Sequence, residues 1–325
     1  MTSADPDALL APLLRARRFD EQLMAHADQI RGHYHVSVGM EGTAVALAAC
    51  RRDGDTVSTT YRNHAHLAAM GSDLETMFGE VLGRDVGHQR GRGGSIHLSD
   101  PDLGVLHTSA MVSGGVPQAL GLAYGRARTH PEAICFCFFG DGAMGEGAVH
   151  ESLNLASLWS LPVVFVCENN APPADGQASA MQAAPSFLAI AELHHTPGEV
   201  VDARHPALVV EAMGRLAAET RQGGGPRFLE ARAAAWEGNQ SFFPHDATGP
   251  TDVADAARGH DDPWRSDDDP VLNECRRLLE AGVSMTELAE VDRRVSAEVG
   301  AAFAAAERAP VADPGAALTD VVADR

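Results

Sequence analysis

The sequence predicts an α/β protein with a mostly parallel sheet flanked by helices and a helical C-terminal extension, and three observations carry that reading. Two apolar runs, ICFCFF at 134–139 and VVFVC at 163–167, have the length and the β-branched or aromatic content of strands buried on both faces. Each run stops where polar residues begin. Between them, residues 145–158 keep a helical period, with Val149, Leu153 and Ala156 on one apolar face and Glu146, His150 and Glu151 elsewhere. Strand, helix and strand over this length make one parallel crossover. Beyond residue 270 the pattern is helical only, over 271–281 and 285–307.

From the N-terminus, residues 8–30 place Leu9, Leu13, Phe19, Leu23 and Ile30 on the apolar side of a helix, and a second helix is expected over 42–50. Asp53-Gly54-Asp55 is turn chemistry, and 56–60 reads as a short strand whose end delivers Tyr61 and Arg62. A helix follows over 74–82. Residues 83–94 are rich in Gly and Arg with too little apolar content to pack, which predicts a mobile surface loop or a loop ordered by ligand. The small-residue helix expected at 114–128 suits close packing on a sheet or on a partner subunit. Residues 171–185 read as loop, 199–201 and 227–232 as strands, and 206–219 as the helix between them. The acids of 260–262 and 267–269 read as part of a solvated linker. The tail from 310 is expected to be weakly ordered. The division expected is 1–245 for a diphosphate-binding domain and 246–325 for linker and helical extension.

The chain has 325 residues, 45% of them hydrophobic, enough for a large core. A formal charge of −20 argues against nucleic acid and anionic membranes as partners, since both require a basic face. All 25 basic side chains are Arg, so Schiff-base chemistry on Lys is excluded and any side-chain cation on phosphate is Arg or His. Cys50, Cys135, Cys137, Cys167 and Cys275 include no CxxC pair and no zinc spacing, and read as reduced, mostly buried thiols. The N-terminal stretch lacks the apolar segment of a secretion signal, and no run approaches the roughly 18 apolar residues of a membrane span. The protein is expected to be cytoplasmic.

The polar residues after the two apolar runs carry the chemistry. Gly140-Asp141-Gly142 follows the first and Asn169-Asn170 the second, and ligands of open parallel sheets bind at that edge. Gly142 and Ala143 leave backbone N–H groups accessible to phosphate oxygens, with the positive end of the next helix behind them. Asp141 offers hard carboxylate oxygen, and an amide at the neighbouring strand end complements it; this suits Mg²⁺, which takes one or two protein ligands beside phosphates and water. Asp-Gly after a strand is usually an ordinary turn. The separation of 29 positions between Asp141 and Asn170, with a whole helix between, is what raises it above that.

GDGAMGEG at one end and ENN at the other resembles the thiamine diphosphate signature. More narrowly, GDGAMGEGAVHESLNLASLWSLPVVFVCENN is similar to the α subunit of the decarboxylating component of 2-oxo acid dehydrogenase complexes, of the pyruvate, branched-chain and acetoin types. The likeness covers about residues 10–310 and is most specific over 56–172. It implies a thiamine-diphosphate-binding fold, thiamine diphosphate and Mg²⁺ as cofactors, and decarboxylation of a 2-oxo acid with transfer of the acyl fragment to a lipoyl acceptor. It further implies a partner β subunit that supplies the Glu activating the aminopyrimidine, in a heterotetramer of two α and two β chains.

The resemblance also implies roles for single residues. In Tyr61-Arg62-Asn63-His64, Tyr61 and Arg62 belong to the diphosphate site, with Arg suited to a fork-like phosphate contact, and His64 handles a proton near the substrate. His35, in GHYHVSVGMEG, matches the His of the family's GxxHxxxGQEA segment, with Met40 where Gln is usual. GRGGSIH at 91–97 matches the GxGGSMH loop that closes over the active site and makes His97 a candidate; its glycines permit the positive φ such a loop needs. Residues 109–117 resemble the stretch holding the aminopyrimidine through backbone groups around Val112, with Ala110 and Ser113 replacing two family glycines. Glu146, at the head of the helix, joins Gly142 and Ala143 as cofactor-binding. Asn170 is the metal ligand of its pair and Asn169 caps the turn. The third protein ligand is a backbone carbonyl two residues on, at Pro172, which any residue type can supply.

The main departure falls at Trp236-Glu237-Gly238-Asn239, where the family has Trp/Tyr-x-Gly-His, a His that reaches the diphosphate and assists transfer to the lipoyl arm. Asn239 donates a hydrogen bond but carries no proton at neutral pH. Either His245, six residues on, substitutes for it, or transfer to dihydrolipoyl is not the reaction. Two alternatives therefore stay open. One is a two-component carboligase or ketol transferase passing a two-carbon fragment, from a small 2-oxo acid or ketose, to a carbonyl or a carrier-protein thiol. The other is a non-catalytic homologue.

Overall fold

A computed structural model describes residues 5–170, 186–234, 250–258 and 267–315. Six strands form one sheet: β1 (Thr56–Thr60), β2 (Val105–Ser109), β3 (Cys135–Gly140), β4 (Val163–Asn169), β5 (Gly198–Asp202) and β6 (Arg227–Arg232). Their order is β2-β1-β3-β4-β6-β5, and every pairing between them is parallel. The helices are α1 (Pro6–Ala25), α2 (Glu41–Cys50), α3 (His64–Ala69), α4 (Leu74–Val81), α5 (Gly115–Thr129), α6 (Gly147–Leu158), α7 (Phe187–Leu193), α8 (Pro206–Glu219), α9 (Asp255–Arg258), α10 (Pro270–Glu280) and α11 (Met285–Arg308).

Strand pleating sorts the core into two layers. Phe136, Phe138, Val164 and Val166 face the layer built with α1, α2, α4, α8, α10 and α11. Cys135, Cys137, Phe139, Phe165 and Cys167 face the layer built with α5, α6 and α7. Cys135 and Cys137 thus share one buried face, and burial pushes the Cys135 thiol up to about 12. All five cysteines are free thiols. Each fully buried Phe of β3 and β4 contributes on the order of 2–3 kcal/mol by removal from water, so these strands form a stiff floor for whatever follows them. α5 lies on the sheet: a Cβ on Gly115 would stand 3.2 Å from Ser58 Oγ. No described helix is long and apolar enough to cross a membrane.

The structure departs from expectation where long-range partners intervene. The first helix ends at Ala25, and Ile30 lies beyond it, after a separate 3₁₀ turn over Ala27–Gln29. β2, α3, α7 and α9 carry too short or too mixed a pattern to be expected. Residues 83–94 have an internal support that their composition does not show. The fully buried carboxylate of Glu80, on α4, accepts from the backbone N–H groups of Gln89 (2.7 Å) and Gly91 (3.0 Å) on Oε2, and of Gly93 (2.6 Å) and Gly94 (3.3 Å) on Oε1. The start of the tail is also tied down, over 310–312. Val311 bridges Arg84, Asp85 N–H donates to Pro310 O (2.9 Å), and Ala312 N–H donates to Gly83 O (3.0 Å).

Of the acids at 267–269, Asp267 is exposed, whereas Asp268 and Asp269 are structural. Asp268 pairs with Arg204 at 2.7 Å. Asp269 is buried, caps α10 through the N–H of Val271 (2.8 Å) and takes both Nη atoms of the buried Arg17 (3.0 and 3.1 Å), whose Nε meets Glu41 at 2.6 Å. Two carboxylates and a hydroxyl, Thr251 Oγ1, engage all three nitrogens of this guanidinium; burial opposes its charge, yet Asp269 and Glu41 hold it well above the usual arginine range. The expected domain boundary at 245/246 and the acids of 260–262 lie outside the described residues.

Candidate functional site

β2 and β3 flank β1 on opposite sides, so the chain leaves β1 in one direction and returns to β3 in the other. A crevice opens at the carboxyl ends of such strands. Tyr61 and Arg62 follow β1 there, Asp141 follows β3 and Asn170 follows β4. The register places Gly140 beside Glu168, which brings Asp141 and Asn170 to adjacent strand ends. Residues Asp141–Gly145 form a 3₁₀ turn, so α6 starts at Gly147, two residues later than its pattern suggests.

The Asp141 carboxyl is raised by burial, against the backbone N–H groups of its own residue, Asn170 and Gly142, which lower it. Asn170 Nδ2 donates to Met40 Sδ at 3.7 Å, which leaves Oδ1 as the acceptor of that amide. A Cβ built on Gly140, Gly142 or Gly147 would meet nothing within 4 Å. No packing in the described chain demands glycine at these positions, and the turn borders open volume.

Arg62 stands at the same edge. Burial lowers its pKa, with Tyr61, Asp20 and Glu168 acting the other way, and its Nη1 donates to Val36 O at 3.1 Å. It makes no ion pair with a described carboxylate, and its guanidinium carbon lies 5.7 Å from the Tyr61 ring centroid. The His35 ring is 4.8 Å from that of Tyr61. His35, Tyr61 and Arg62 therefore come together, and a partly desolvated cation faces the strand end next to the Asp141 turn. Carboxylate oxygen, amide oxygen, open glycine turn and under-compensated guanidinium fit a metal-bound diphosphate.

His64 occupies a different setting. It is fully buried, with Nδ1 2.7 Å from Asp20 Oδ1 and Nε2 2.8 Å from Ser95 Oγ. The row Asp20, His64, Ser95 has the connectivity of a nucleophile triad, but Ser95 is itself buried, so the three link α1, α3 and the glycine loop. His97 is exposed; its carbonyl accepts from Gln89 Nε2 at 3.0 Å, and its charge helps burial lower the pKa of His107. Val112 is exposed, and the neighbouring Ser113 has φ +62°, so serine keeps the left-handed conformation at a position where the family has glycine. Glu146 is exposed and occupies the N-cap position of α6, where its side chain makes no capping hydrogen bond. Asn169 ends β4, and its amide donates to Glu230 Oε1 on β6 (3.0 Å), a tie between strands in addition to any turn cap. Pro172, Asn239 and His245 lie outside the described residues.

Three contributors had no signature in the sequence. Glu80 acts on backbone amides, which no side-chain motif records. Asp20 meets His64 across 44 positions. Glu168, buried after β4's apolar run, accepts from Thr43 Oγ1 and lies 3.3 Å from His66 Nε2. Only Met40, a departure from a family motif, carried a hint of its place beside Asn170.

A family model described as "Dehydrogenase E1 component" matches residues 13–315. The chain is 34% identical over 310 residues to the alpha subunit of acetoin:2,6-dichlorophenolindophenol oxidoreductase from Cupriavidus necator, covering 94% of this chain and 90% of that protein. It is 32% identical over 314 residues to the corresponding subunit of Bacillus subtilis, covering 95% and 91%. The alpha subunit of the pyruvate dehydrogenase E1 component of Zymomonas mobilis is 32% identical over 306 residues, covering 92% and 83%.

Proposed function

The chain belongs to the dehydrogenase E1 component family, and from that premise we propose that it is the α subunit of a two-chain enzyme that decarboxylates a 2-oxo acid with thiamine diphosphate and passes the acyl fragment to a lipoyl acceptor. The observation that carries the reading is the meeting of Asp141 and Asn170 at adjacent strand ends, beside a glycine turn facing open volume. Asp141 and Asn170, with the carbonyl of Pro172, hold Mg²⁺ in this proposal. Gly142, Ala143, Glu146, Tyr61, Arg62, Val112 and Asn239 bind the cofactor. His35, His97 and His64 are the candidates for proton handling.

When bound, thiamine diphosphate supplies the carbanion equivalent that allows a 2-oxo acid to lose CO₂. The chain contributes position and charge. Arg62 neutralises phosphate at a place where its own charge is poorly compensated, and His35 sets an imidazole against Tyr61 at that edge. His64, with both ring nitrogens engaged, holds the Ser95 end of the glycine loop in place. A β subunit completes the site in a heterotetramer of two α and two β chains, in the cytoplasm.

Asn239, where the family's loop has His, favours a second reading: transfer of a two-carbon fragment to a carbonyl or a carrier-protein thiol. Reconstitution with the β chain decides between them. Strict dependence of turnover on a lipoylated acceptor supports the first, and carbon–carbon bond formation without that acceptor supports the second. Absence of any binding heat for thiamine diphosphate with Mg²⁺ in the assembled protein would remove both.

A further inference from the structure

A pair of imidazoles outside the proposed reaction has the geometry of a metal site. His150 stands in the first turn of α6, and His194 follows α7 at its C-terminal cap. Nδ1 of His150 and Nε2 of His194 lie 3.4 Å apart, and the ring centroids are 5.6 Å apart at 73°. On its far side, His150 Nε2 is 3.2 Å from the carbonyl oxygen of Met144. A carbonyl only accepts, so that contact puts the proton of a neutral His150 on Nε2 and turns the Nδ1 lone pair toward His194.

This is how ligating histidines are held: one ring nitrogen donates to a carbonyl while the other faces the ion. Two nitrogens bound at 2.0–2.1 Å to a tetrahedral zinc stand about 3.3–3.4 Å from each other, the separation found between these rings. Both side chains are half-exposed, so an ion reaches them and water can fill the remaining positions. Neither ring is in an ion pair with a described carboxylate. Among the described residues there is no cluster of three or more ligating side chains, so a protein-only cage is not what these rings build.

We propose that His150 and His194 form a two-imidazole, water-completed site for a borderline divalent ion, Zn²⁺, that clamps the end of α7 to the first turn of α6. Imidazole suits zinc and not Mg²⁺, so this site and the proposed diphosphate metal site select different ions. The Met144 carbonyl belongs to the 3₁₀ turn Asp141–Gly145, so an ion on His150 also tightens the ring's hold on the diphosphate turn. The site itself does not depend on the decarboxylase reading.

The test is calorimetric titration of the untagged, cofactor-free assembly of this chain and its β partner with Zn²⁺ in millimolar Mg²⁺, alongside thermal unfolding. The expected result is one Zn²⁺ per chain, at least about tenfold weaker binding in His150→Ala and in His194→Ala, and a Zn²⁺-dependent rise in Tm confined to the wild type. His194→Gln keeps a donor toward His150 but removes the imidazole, and should unfold at the wild-type temperature in metal-free buffer while losing the Zn²⁺ response. Absence of saturable Zn²⁺ binding in the wild type, or binding unchanged in these variants, would overturn the proposal and leave the pair as an ordinary imidazole hydrogen bond.

Discussion

The glycine loop at 83–97 and the turn after β3 are both glycine-rich and polar, and both adjoin a short helix. They are built in opposite ways. In the loop, one buried carboxylate, Glu80, takes four backbone N–H groups, and Ser95 is tied through His64 to Asp20. A Cβ on Gly87 would fall 2.4 Å from Glu80 Oε2, so glycine there answers to the protein's own packing. At the turn, a Cβ on Gly142 would meet nothing, Arg62 has no described carboxylate partner, and the Asp141 carboxyl is raised by burial. Polar groups satisfied inside the chain organise the fold. Polar groups left under-compensated at a strand edge are the ones we propose to meet a ligand.

Substitutions can break this contrast. The largest expected effect is on the satisfied side at Arg17, where Arg17→Met would strand the buried carboxylates of Glu41 and Asp269; a loss of roughly 3–5 kcal/mol in denaturant unfolding is expected. A loss under about 1 kcal/mol would show that the junction is not held by charge. On the open side, Asp141→Ala should weaken Mg²⁺-dependent thiamine diphosphate binding by on the order of 100-fold, about 2.8 kcal/mol, with unchanged unfolding. A large fall in stability would instead place Asp141 with the structural group.

Glu80→Ala should cost about 2 kcal/mol and speed amide exchange at Gln89, Gly91, Gly93 and Gly94, because four N–H groups lose a charged acceptor. Slow exchange persisting in that variant would mean the loop has another support. The smallest effect belongs to the exposed cap of α4. Burial would raise the Asp73 carboxyl, but hydrogen bonds from the Thr76 hydroxyl and amide outweigh it and lower the pKa. Because the folded value is depressed, the stabilisation is present above the unfolded value of about 3.9 and disappears as pH falls through the folded one. Asp73→Ala should therefore cost about 1 kcal/mol at pH 7, with the difference from wild type shrinking as pH falls below the unfolded value of about 3.9. A pH-independent difference would count against the charged cap.

Legibility in the sequence followed the range of the interaction. β1, α8 and β6 occur at the residues their patterns predict, and α2, α4, α5, α10 and α11 within one residue or so at each end, since each carries its own periodicity. β2 was missed because VLHTS has little apolar signal, and its place as an edge strand beside β1 comes from pairing alone. The internal supports of the loop and of residues 310–312 are illegible in the sequence for a related reason. Composition showed that residues 83–94 cannot pack, but not that a carboxylate at position 80 satisfies their amides or that 310–312 lie against them.

At the site, the sequence by itself determined that Asp141 and Asn170 lie at one edge. A strand, a helix and a parallel strand must return the chain to the same side of the sheet, and the spacing counts one such crossover. It determined the family by the same run of residues. The tertiary structure alone decided which histidines and carboxylates are engaged within the protein. His35 stands against Tyr61, His64 is enclosed between Asp20 and Ser95, and Arg17 between Glu41 and Asp269. Periodicity is a property of neighbours along the chain, whereas desolvation and charge pairing depend on groups brought together from distant segments, and residue type does not specify them.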